Sequence, residues 1–382
     1  MQFDLGILGG GQLARMTIMA AQQMGLRCLS LDPGQMTPAG QVAPTAQGSL
    51  SDPEAVAGIF SHCARVTLEN EFIPASVIAQ ALELSGREPS TVTPGFETLG
   101  IIQDKLSQRK ALLAKGVPSP KAEEITEDGT VAVARIGFPA VLKARFGGYD
   151  GKGTKFARSG EEFDDLRPIW ENGGWMAEEL VEFKRELAVM VYRSPTVTGW
   201  FPTMETVQTD FVCDLVFPAN IDASEVAVAA VEAVDGYGLF GVELFETNDG
   251  RILVNEIAPR PHNSGHYTMD WGGLSQFECI ARLALGLPVP EPVGEPACMA
   301  NLLGQTDADN FRMGIMKALT ADADIRVHWY GKEESRKGRK MGHINVTGPN
   351  MVIRAEAARA AFYEGVKQRP VPPKEVVSEF PS

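Results

Sequence analysis

Apolar and polar positions follow two different periods at the start of the chain. The stretch "FDLGILGGGQLARMTIMAAQQMGLRCLSLD" contains an apolar strand-like run, a glycine turn, an amphipathic helical pattern closed by Gly25, and a second strand ending at Asp32. This order predicts a βαβ unit. The strand-like run "RVTLE" and a helical pattern near 74–85 continue the alternation up to the turn-forming stretch "GREPSTVTPG". We therefore predict an N-terminal α/β domain over residues 1–97.

The pattern changes from helical to strand-like in the middle of the chain. The segment "LGIIQDKLSQRKALLAKG" has apolar residues at helical spacing and ends at Gly116, so it predicts a helix. Residues 175–260 hold long strand-like runs, for which we expect antiparallel pairing. The proline-rich segment "LGLPVPEPVGEPA" predicts an extended linker. The fold class expected is α/β and α+β, with a central domain at 98–290 and a small C-terminal domain at 291–382.

Composition and charge narrow the class of protein. The 382 residues are 44% hydrophobic and 22% charged, as expected for a soluble protein of two or three domains. The formal net charge of −14 disfavours general binding to nucleic acid or anionic membranes, because a polyanion would be repelled over most of the surface. The five cysteines lie far apart without a CxxC pair, so neither a zinc site nor a disulfide framework is expected. Without a basic leader or a long apolar run, the expected location is cytoplasmic.

The segment "VLKARFGGYDGKGT", residues 141–154, concentrates glycines and lysines. Glycines at this density let backbone amides turn toward a ligand, and Lys143 and Lys152 add positive charge. An anionic ligand is therefore expected. The Walker pattern GxxxxGK[ST] fails because Gly153 follows Lys152, so the anion must be held in another way.

A second glycine turn lies near the N-terminus. Gly9, Gly11 and Ala14 fit the pattern G-x-G-x-x-A, and Asp32 follows Gly11 by 21 residues, as in a dinucleotide-binding fold. The same turn serves other α/β domains in which a helix N-terminus faces a phosphate or packs closely. Both interpretations stay open here, and Gln12 at the mouth of the helix is a candidate ligand contact.

Two glutamates are predicted to face each other across a hairpin. In "VELFETNDGRILVNEI", Asp249 and Gly250 form a strong two-residue turn signal between alternating strands. That register sets Glu243 directly opposite Glu256 on one face, where like charges are destabilising. Mg²⁺ would relieve the repulsion, since it binds through one or two carboxylates plus substrate phosphates. A solvated sheet face is the alternative, and a three-residue turn would shift the register.

Other candidate residues are weak when they are taken singly. Lys143 ends a strand-like run and Lys105 lies on the predicted helix, where lysines are usually solvated. In "EELVEFKREL", backbone groups suit an adenine edge and Glu186 suits ribose hydroxyls, although a polar loop explains the same residues. The stretch 332–340 holds five bases against two acids, which suits either a phosphate clamp or simple solubility.

Taken together, several segments resemble the ATP-grasp superfamily and, within it, the family of 5-(carboxyamino)imidazole ribonucleotide synthases, ATP-dependent carboxylases of purine biosynthesis. These segments are "ILGGGQLARM", "IIQDKLSQRKALL", "LKARFGGYDGKGT", "EELVEFKREL", "GVELF", "NEIAPRPHNSGHYT", "NLLG" and "YGKEESRKGRKMGHIN". The resemblance covers almost the whole chain. It implies a pre-ATP-grasp βαβ domain, a central ATP-grasp domain with a mobile lid at about 115–172, and a small C-terminal domain.

The resemblance also implies an activity and its site. The expected reaction is ATP- and bicarbonate-dependent carboxylation of the amine of 5-aminoimidazole ribonucleotide through carboxyphosphate, by a homodimer that uses ATP and Mg²⁺. The implied ATP contacts are Lys105, Lys143, Gly148, Tyr149, Asp150, Gly151, Lys152, Gly153, Thr154, Glu178, Glu179, Leu180, Val181, Glu186, Gln208, Asn255 and Glu256. The implied magnesium ligands are Glu243 and Glu256. The implied catalytic residues are Asp150, Arg260, His262 and Lys332, and the ribonucleotide contacts are Gln12, Tyr149, Asp150, Asn263, Lys332 and Arg339.

The sequence departs from the family pattern at a few positions. Many relatives have glycine in place of Ala14, a polar residue in place of Phe72 and histidine in place of Gln208. A metal-binding asparagine common in the superfamily is replaced by Ala258, whereas Asn255 precedes the second glutamate. These departures concern substrate contacts more than the reaction. The alternatives are an NAD-dependent oxidoreductase, a noncatalytic nucleotide sensor, and an ATP-grasp ligase that joins an amino acid.

Overall fold

The computed structural model describes residues 2–126, 128–148, 151–305 and 310–367. Its N-terminal region is a parallel sheet with helices on both faces, in which β1, α1 and β2 confirm the predicted βαβ unit. The sheet order is β3-β2-β1-β4-β5. The elements are β1 (Phe3–Leu8), α1 (Gln12–Gln23), β2 (Cys28–Asp32), β3 (Thr45–Gln47), α2 (Pro53–His62), β4 (Cys63–Leu68), α3 (Ala75–Ser85), β5 (Val92–Thr93) and α4 (Phe96–Gln103), with 3₁₀ turns at Ala39–Gln41 and Pro89–Thr91.

The single helix predicted after this region is in fact two helices. Helix α4 ends at Gln103, and α5 (Lys105–Ala114) begins two residues later. The break occurs because Asp104 caps α5: its carboxylate accepts from the backbone N–H of Leu106 at 3.1 Å and from Arg145 Nε at 2.9 Å. Lys105 thereby becomes the first residue of a helix. The predicted boundary between residues 97 and 98 falls inside α4.

A small antiparallel sheet follows and carries the glycine-rich segment. Its order is β6-β9-β7-β8, and Leu142, Phe163 and Trp170 are buried in its core. The glycine-rich segment includes most of β7 and the first residue of β8, which pair as a hairpin, together with the loop between these strands. The elements are β6 (Ala122–Glu124), α6 (Thr130–Ile136), β7 (Ala140–Ala144), β8 (Thr154–Ala157), α7 (Gly160–Asp165), α8 (Arg167–Trp170) and β9 (Trp175–Glu179).

A large sheet begins immediately after β9. Its long antiparallel strands confirm the pairing expected for residues 175–260, and helix α9 covers one of its faces through buried alanines and valines. The elements are β10 (Phe183–Arg193), β11 (Thr198–Trp200), β12 (Met204–Thr209), β13 (Val212–Pro218), α9 (Ser224–Ala233), β14 (Gly238–Thr247), β15 (Ile252–Ala258), a 3₁₀ helix (Asn263–Met269) and α10 (Gln276–Ala284).

The C-terminal region extends this same sheet. Beyond the proline-rich segment, β16 pairs with β13, so that one nine-stranded sheet has the order β15-β14-β10-β12-β13-β16-β18-β17, with β11 paired to β10. The C-terminal elements are β16 (Ala297–Leu303), α11 (Phe311–Ala321), β17 (Arg326–Trp329), β18 (Lys340–Thr347) and α12 (Met351–Val366). None of the helices in the described ranges is long and apolar enough to cross a membrane.

Candidate active site

Two lysines from separate elements reach the edge strand of the large sheet. Lys143 lies in β7, and its Nζ lies 3.4 Å from Asn255 Oδ1 on β15. Lys105, at the start of α5, donates from Nζ to Glu256 Oε1 at 2.5 Å. Both lysine side chains are largely buried, with 17–18% of their surface exposed. The structure thus brings together four residues predicted to contact ATP, at the junction of the small and large sheets.

The predicted glutamate pair is present, but it arises by a different route. Glu243 on β14 lies directly opposite Glu256 on β15, as predicted. The two-residue turn was wrong, because Thr247 N–H donates to Arg251 O at 2.9 Å and leaves three residues in the loop, with Gly250 at φ +84°. That loop alone would set Asn255 opposite Glu243.

A β-bulge at Asn255 restores the register. The strands pair in one register from the turn to Val254, and the register shifts by one residue before Glu256. Asn255 is the extra residue of the bulged strand. Its side-chain amide Nδ2 lies 3.5 Å from Glu243 Oε2 while its Oδ1 faces Lys143. The bulge therefore adds a polar side chain to the same cluster.

Burial and like charge shape the electrostatics of this cluster. Burial, followed by the neighbouring charges of Glu256 and Glu186, raises the pKa of Glu243 to about 7, although 31% of its side chain stays open to solvent. His262 Nε2 lies 3.3 Å from Glu243 Oε1, and its Nδ1 lies 2.9 Å from Ser264 Oγ. Burial lowers the pKa of His262 to about 3, so its imidazole is neutral near pH 7.

The residues present fit a magnesium ion bound together with a nucleotide. Within the described ranges no group of three or more His, Cys, Asp or Glu side chains is arranged to hold a metal. Glu243 and Glu256 supply the two carboxylates that Mg²⁺ uses when phosphates complete its coordination. A cation between them would also relieve the like-charge repulsion that adds to burial in raising the pKa of Glu243.

The Glu178 side chain holds two cations of the site. Its side chain is 2% exposed and accepts from Arg109 Nε at 2.7 Å and from Lys143 Nζ at 2.6 Å. Burial alone would raise the pKa of Glu178, but these two cations lower it to about 2. The carboxylate is therefore ionised and turned inward, where it holds Lys143, and only the backbone groups of Glu178 remain candidates for the predicted adenine contact.

The remaining part of the predicted nucleotide segment connects the two sheets. Glu179 ends β9, and Leu180 and Val181 follow before β10, with the Leu180 side chain 41% exposed. Glu186 lies on β10 and is hydrogen-bonded to Gln208 of β12. Burial raises the pKa of Glu186. This connection thus has backbone groups outside the regular sheet and a carboxylate close to it.

The glycine-rich loop packs against the turn between β12 and β13. Gly151 has φ +74°, and a β carbon there would lie 2.7 Å from the Phe211 ring. Gly153 has φ +77°, and a β carbon there would lie 3.0 Å from Ala144. These glycines are required both by their backbone conformation and by close packing.

The other loop residues are placed around the same hairpin. A β carbon at Gly148 would lie 2.8 Å from Lys152 O, and Thr154 N–H donates to Gly151 O at 3.3 Å. Tyr149 and Asp150, which were predicted to contact ATP and the ribonucleotide, lie outside the described residues.

Arg260 and Asn263 are engaged by protein partners. Both the Nε and Nη2 groups of Arg260 donate to the carboxylate of Glu71, with Nη2 to Oε1 at 2.8 Å. Burial opposes ionisation of Glu71, yet Arg260 lowers its pKa. Asn263 exchanges two side-chain hydrogen bonds with Asn301, at 3.1 and 2.5 Å. Asn263 therefore packs as a buried structural amide, whereas Arg260 joins the large sheet to the N-terminal region.

The N-terminal glycine turn is closed by the protein's own carboxylates, which argues against a dinucleotide. Asp32 accepts from the backbone N–H groups of Gly10 and Gly34 at 2.8 Å each, so both of its carboxylate oxygens are already hydrogen-bonded within the turn. A β carbon at Gly11 would lie 2.3 Å from Glu69 Oε1, which places this carboxylate at the mouth of α1. A pyrophosphate at this helix N-terminus would compete with that carboxyl group for the same space. Gln12, the first residue of α1, lies beside it and is half-buried.

The predicted basic residues lie in the connection between β17 and β18. Lys332 Nζ donates to Lys340 O at 2.6 Å, and Arg339 Nη1 donates to Glu334 O at 2.7 Å. Burial raises the pKa of Glu69, and Lys332 is close enough to lower it in part. The connection therefore faces the N-terminal region.

Two further cations near the site were missed. Arg109 contacts Glu178, and Lys340 lies close enough to Glu243 to oppose the rise of its pKa. Arg109 is four residues after Lys105, so helical spacing alone places both on one face of α5. Lys340 ends the basic stretch 332–340, but its position near Glu243 depends on pairing between distant strands, which that stretch does not indicate.

Comparison with known families agrees with this architecture. Residues 2–103 match the ribonucleotide synthetase preATP-grasp domain, residues 110–277 the ATP-grasp domain, and residues 297–357 the phosphoribosylaminoimidazole carboxylase C-terminal domain. The fold and the site define an ATP-grasp ligase with three domains. The chain belongs to the N5-carboxyaminoimidazole ribonucleotide synthase family.

The relatives that establish the family are similar along nearly the whole chain. A protein of Synechococcus elongatus named N5-carboxyaminoimidazole ribonucleotide synthase is 39% identical, over 93% of this chain and 92% of its own length. A phosphoribosylaminoimidazole carboxylase of Ogataea methanolica is 36% identical, and the chain spans 67% of its length. A solved N5-carboxyaminoimidazole synthase of Aspergillus clavatus, in complex with ADP and 5-aminoimidazole ribonucleotide, is 31% identical with a TM-score of 0.85, covering 96% of this chain and 98% of that one.

Proposed function

We propose that the protein carboxylates the amine of 5-aminoimidazole ribonucleotide with ATP and bicarbonate, in purine biosynthesis. One observation carries the proposal: Glu243 and Glu256 face each other beside Lys105 and Lys143 at the junction of the two sheets. Two carboxylates with two lysines suit a triphosphate bound with a divalent cation. The family relationship supplies the substrate, since relatives carry the name of this synthase.

In the first step a bicarbonate oxygen attacks the γ-phosphorus of ATP, and the bond from that phosphorus to the bridging oxygen breaks, releasing ADP. Carboxyphosphate forms. Lys105 and Lys143 neutralise charge on the phosphoryl oxygens. Mg²⁺, held by Glu243 and Glu256, would supply further charge neutralisation and orientation of the phosphates. The glycine-rich loop covers the phosphates, and its packing on Phe211 supports a role in excluding water.

In the second step the ribonucleotide amine attacks the carboxyl carbon, either in carboxyphosphate or in carbon dioxide released from it. A nitrogen–carbon bond forms, phosphate leaves, and the amine loses one proton. We assign Arg260 and His262 to the bicarbonate or carboxyphosphate, and Lys332 and Arg339 to the ribonucleotide phosphate. Neutral His262 suits hydrogen bonding rather than charge pairing. Asp150 is proposed to orient the amine or accept its proton.

The test measures ADP release and carboxylated product in reactions that omit one substrate at a time. We expect ATP cleavage that depends on bicarbonate and is stimulated by the ribonucleotide, with one product formed per ADP. Product that forms without bicarbonate would refute the proposal. Cleavage stimulated by an amino acid instead would assign the chain to another ATP-grasp activity.

The proposal includes a homodimer in the cytoplasm, which follows from the family resemblance. Sedimentation equilibrium of the purified protein tests the dimer directly. A monomer over the micromolar range would contradict it.

A further inference from the structure

Arg109, a buried arginine that was not among the predicted site residues, connects the small sheet to the large sheet. The Arg109 side chain, on α5, is 6% exposed. Its Nε donates to Glu178 Oε1 on β9 at 2.7 Å, and its Nη2 donates to Asn255 O on β15 at 2.5 Å. The guanidinium therefore joins the small sheet to the edge strand of the large sheet.

We propose that Arg109 is a positioning residue that couples the phosphate-binding lysine Lys143 to the register of the two facing glutamates. The inference rests on the proposed function, because it takes Lys143 and the glutamates as the site of Mg²⁺-bound ATP.

Arg109 is coupled to Lys143 through Glu178. Its Oε1 accepts from Arg109, and its Oε2 accepts from Lys143 Nζ at 2.6 Å. Because the carboxylate is buried and rigidly shared, moving either cation displaces the other. Arg109 thus fixes the direction in which Lys143 leaves β7.

Arg109 is coupled to the facing glutamates through the β-bulge at Asn255. Asn255 is the extra residue in β15, and the carbonyl of a bulged residue lies outside the regular ladder of hydrogen bonds. Arg109 supplies a donor to that carbonyl. The bulge sets Glu256, rather than Asn255, opposite Glu243. The guanidinium thereby stabilises the local geometry that brings the carboxylates together.

The chemistry of the two acceptors explains why arginine stands here. Its planar fork presents several donors at fixed angles, whereas a lysine ammonium is a single point on a flexible stem. Lysine at this position would keep the charge beside Glu178 but would not span both acceptors.

The test compares Arg109→Met and Arg109→Lys with wild type and with Lys110→Met, which changes the neighbouring exposed residue on the same helix. Isothermal titration calorimetry gives dissociation constants for adenosine, for ADP with EDTA, and for ADP with Mg²⁺. Adenosine is expected to contact the connection between the sheets and Glu186 but neither the lysines nor the facing glutamates, so its binding reports general damage. ADP with EDTA adds the lysines, and ADP with Mg²⁺ adds the glutamates.

We expect Arg109→Met to leave adenosine binding unchanged, to weaken ADP alone several-fold, and to weaken ADP with Mg²⁺ by about tenfold or more, as for loss of a charged hydrogen bond. Arg109→Lys should recover the binding of ADP alone better than that of ADP with Mg²⁺. Lys110→Met should match wild type.

Equal weakening of all three ligands in both Arg109 variants would show a merely structural role and overturn the inference. Unchanged binding of ADP with Mg²⁺ would also overturn it. A wild-type protein that binds ADP with Mg²⁺ but forms no carboxylated product would refute the proposed function and leave the coupling intact, so the two failures are distinguishable.

Discussion

Glu243→Gln should stabilise the metal-free protein while it removes function. The side chain faces Glu256 across the hairpin, and burial together with that like charge raises its pKa from 4.5 to about 7. Because the folded-state pKa lies above the unfolded value, stability falls as pH rises from 4.5 through about 7. The full penalty is present above that range. Glutamine occupies nearly the same volume and cannot ionise.

The magnitude follows from the pKa shift. At about 1.4 kcal/mol per unit, the rise corresponds to roughly 3 kcal/mol. Since 31% of the Glu243 side chain is exposed, solvent screening reduces the expected gain to about 2 kcal/mol at pH 8. The gain should nearly vanish at pH 4.5, where the side chain is largely protonated in the folded protein.

Urea unfolding in EDTA at pH 4.5 and pH 8 measures the effect through the shift in free energy of unfolding. Glu246→Gln is the matched control on the same strand, because Arg185 and Lys184 lower the pKa of that carboxyl. Its replacement should destabilise at pH 8 and have less effect at low pH. Magnesium with ATP should stabilise wild type more than Glu243→Gln, which keeps the lysines but loses one of the two carboxylates. A Glu243→Gln protein that is less stable than wild type at pH 8, or a difference independent of pH, would refute the reasoning.

Three further predictions test other parts of the protein. Arg339→Ala should raise KM for the ribonucleotide and leave that for ATP nearly unchanged in steady-state kinetics, whereas equal changes would show that the clamp is misplaced. Gly151→Ala forces a β carbon to within 2.7 Å of Phe211 at φ +74°, so kcat should fall at least about tenfold. Adding Phe211→Ala to this variant should relieve the steric clash but not the backbone strain. A wild-type kcat in Gly151→Ala would contradict the packing argument. Asn263→Ala should cost about 1–3 kcal/mol in urea unfolding because Asn301 loses its partner, and an unchanged midpoint would show that the pair adds no stability.

The facing glutamates show how far periodicity reaches. Strand alternation predicted that Glu243 and Glu256 share a face, and the structure agrees. The predicted hairpin differs from the observed one in two ways: the loop has three residues instead of two, and β15 contains one extra, bulged residue. The two differences cancel. A bulge leaves no mark in the pattern, because a polar residue such as Asn255 is acceptable at an alternating position.

The sequence pattern did not predict which residues contact each other over long distances along the chain. The spacing gave no sign of the side-chain partner of Glu178, because Arg109 lies 69 residues away in sequence. Glu71 and Arg260 are 189 residues apart and meet only because the N-terminal region packs on the large sheet. Similarly, Asp104 lies in the segment predicted as one helix, and its side-chain partner Arg145 is 41 residues away. Such pairs depend on tertiary packing, which local spacing does not encode.

The pairing of β13 with β16 makes the C-terminal region a continuation of the large sheet rather than an appendage. A chain cut within the proline-rich segment would leave Leu215 and Val216 on an open, apolar border that invites other chains to add strands. We expect such a truncation to aggregate instead of yielding an ATPase module. Genetic fusions and reporter tags are consequently better joined at exposed loop tips than substituted for the last ninety or so residues.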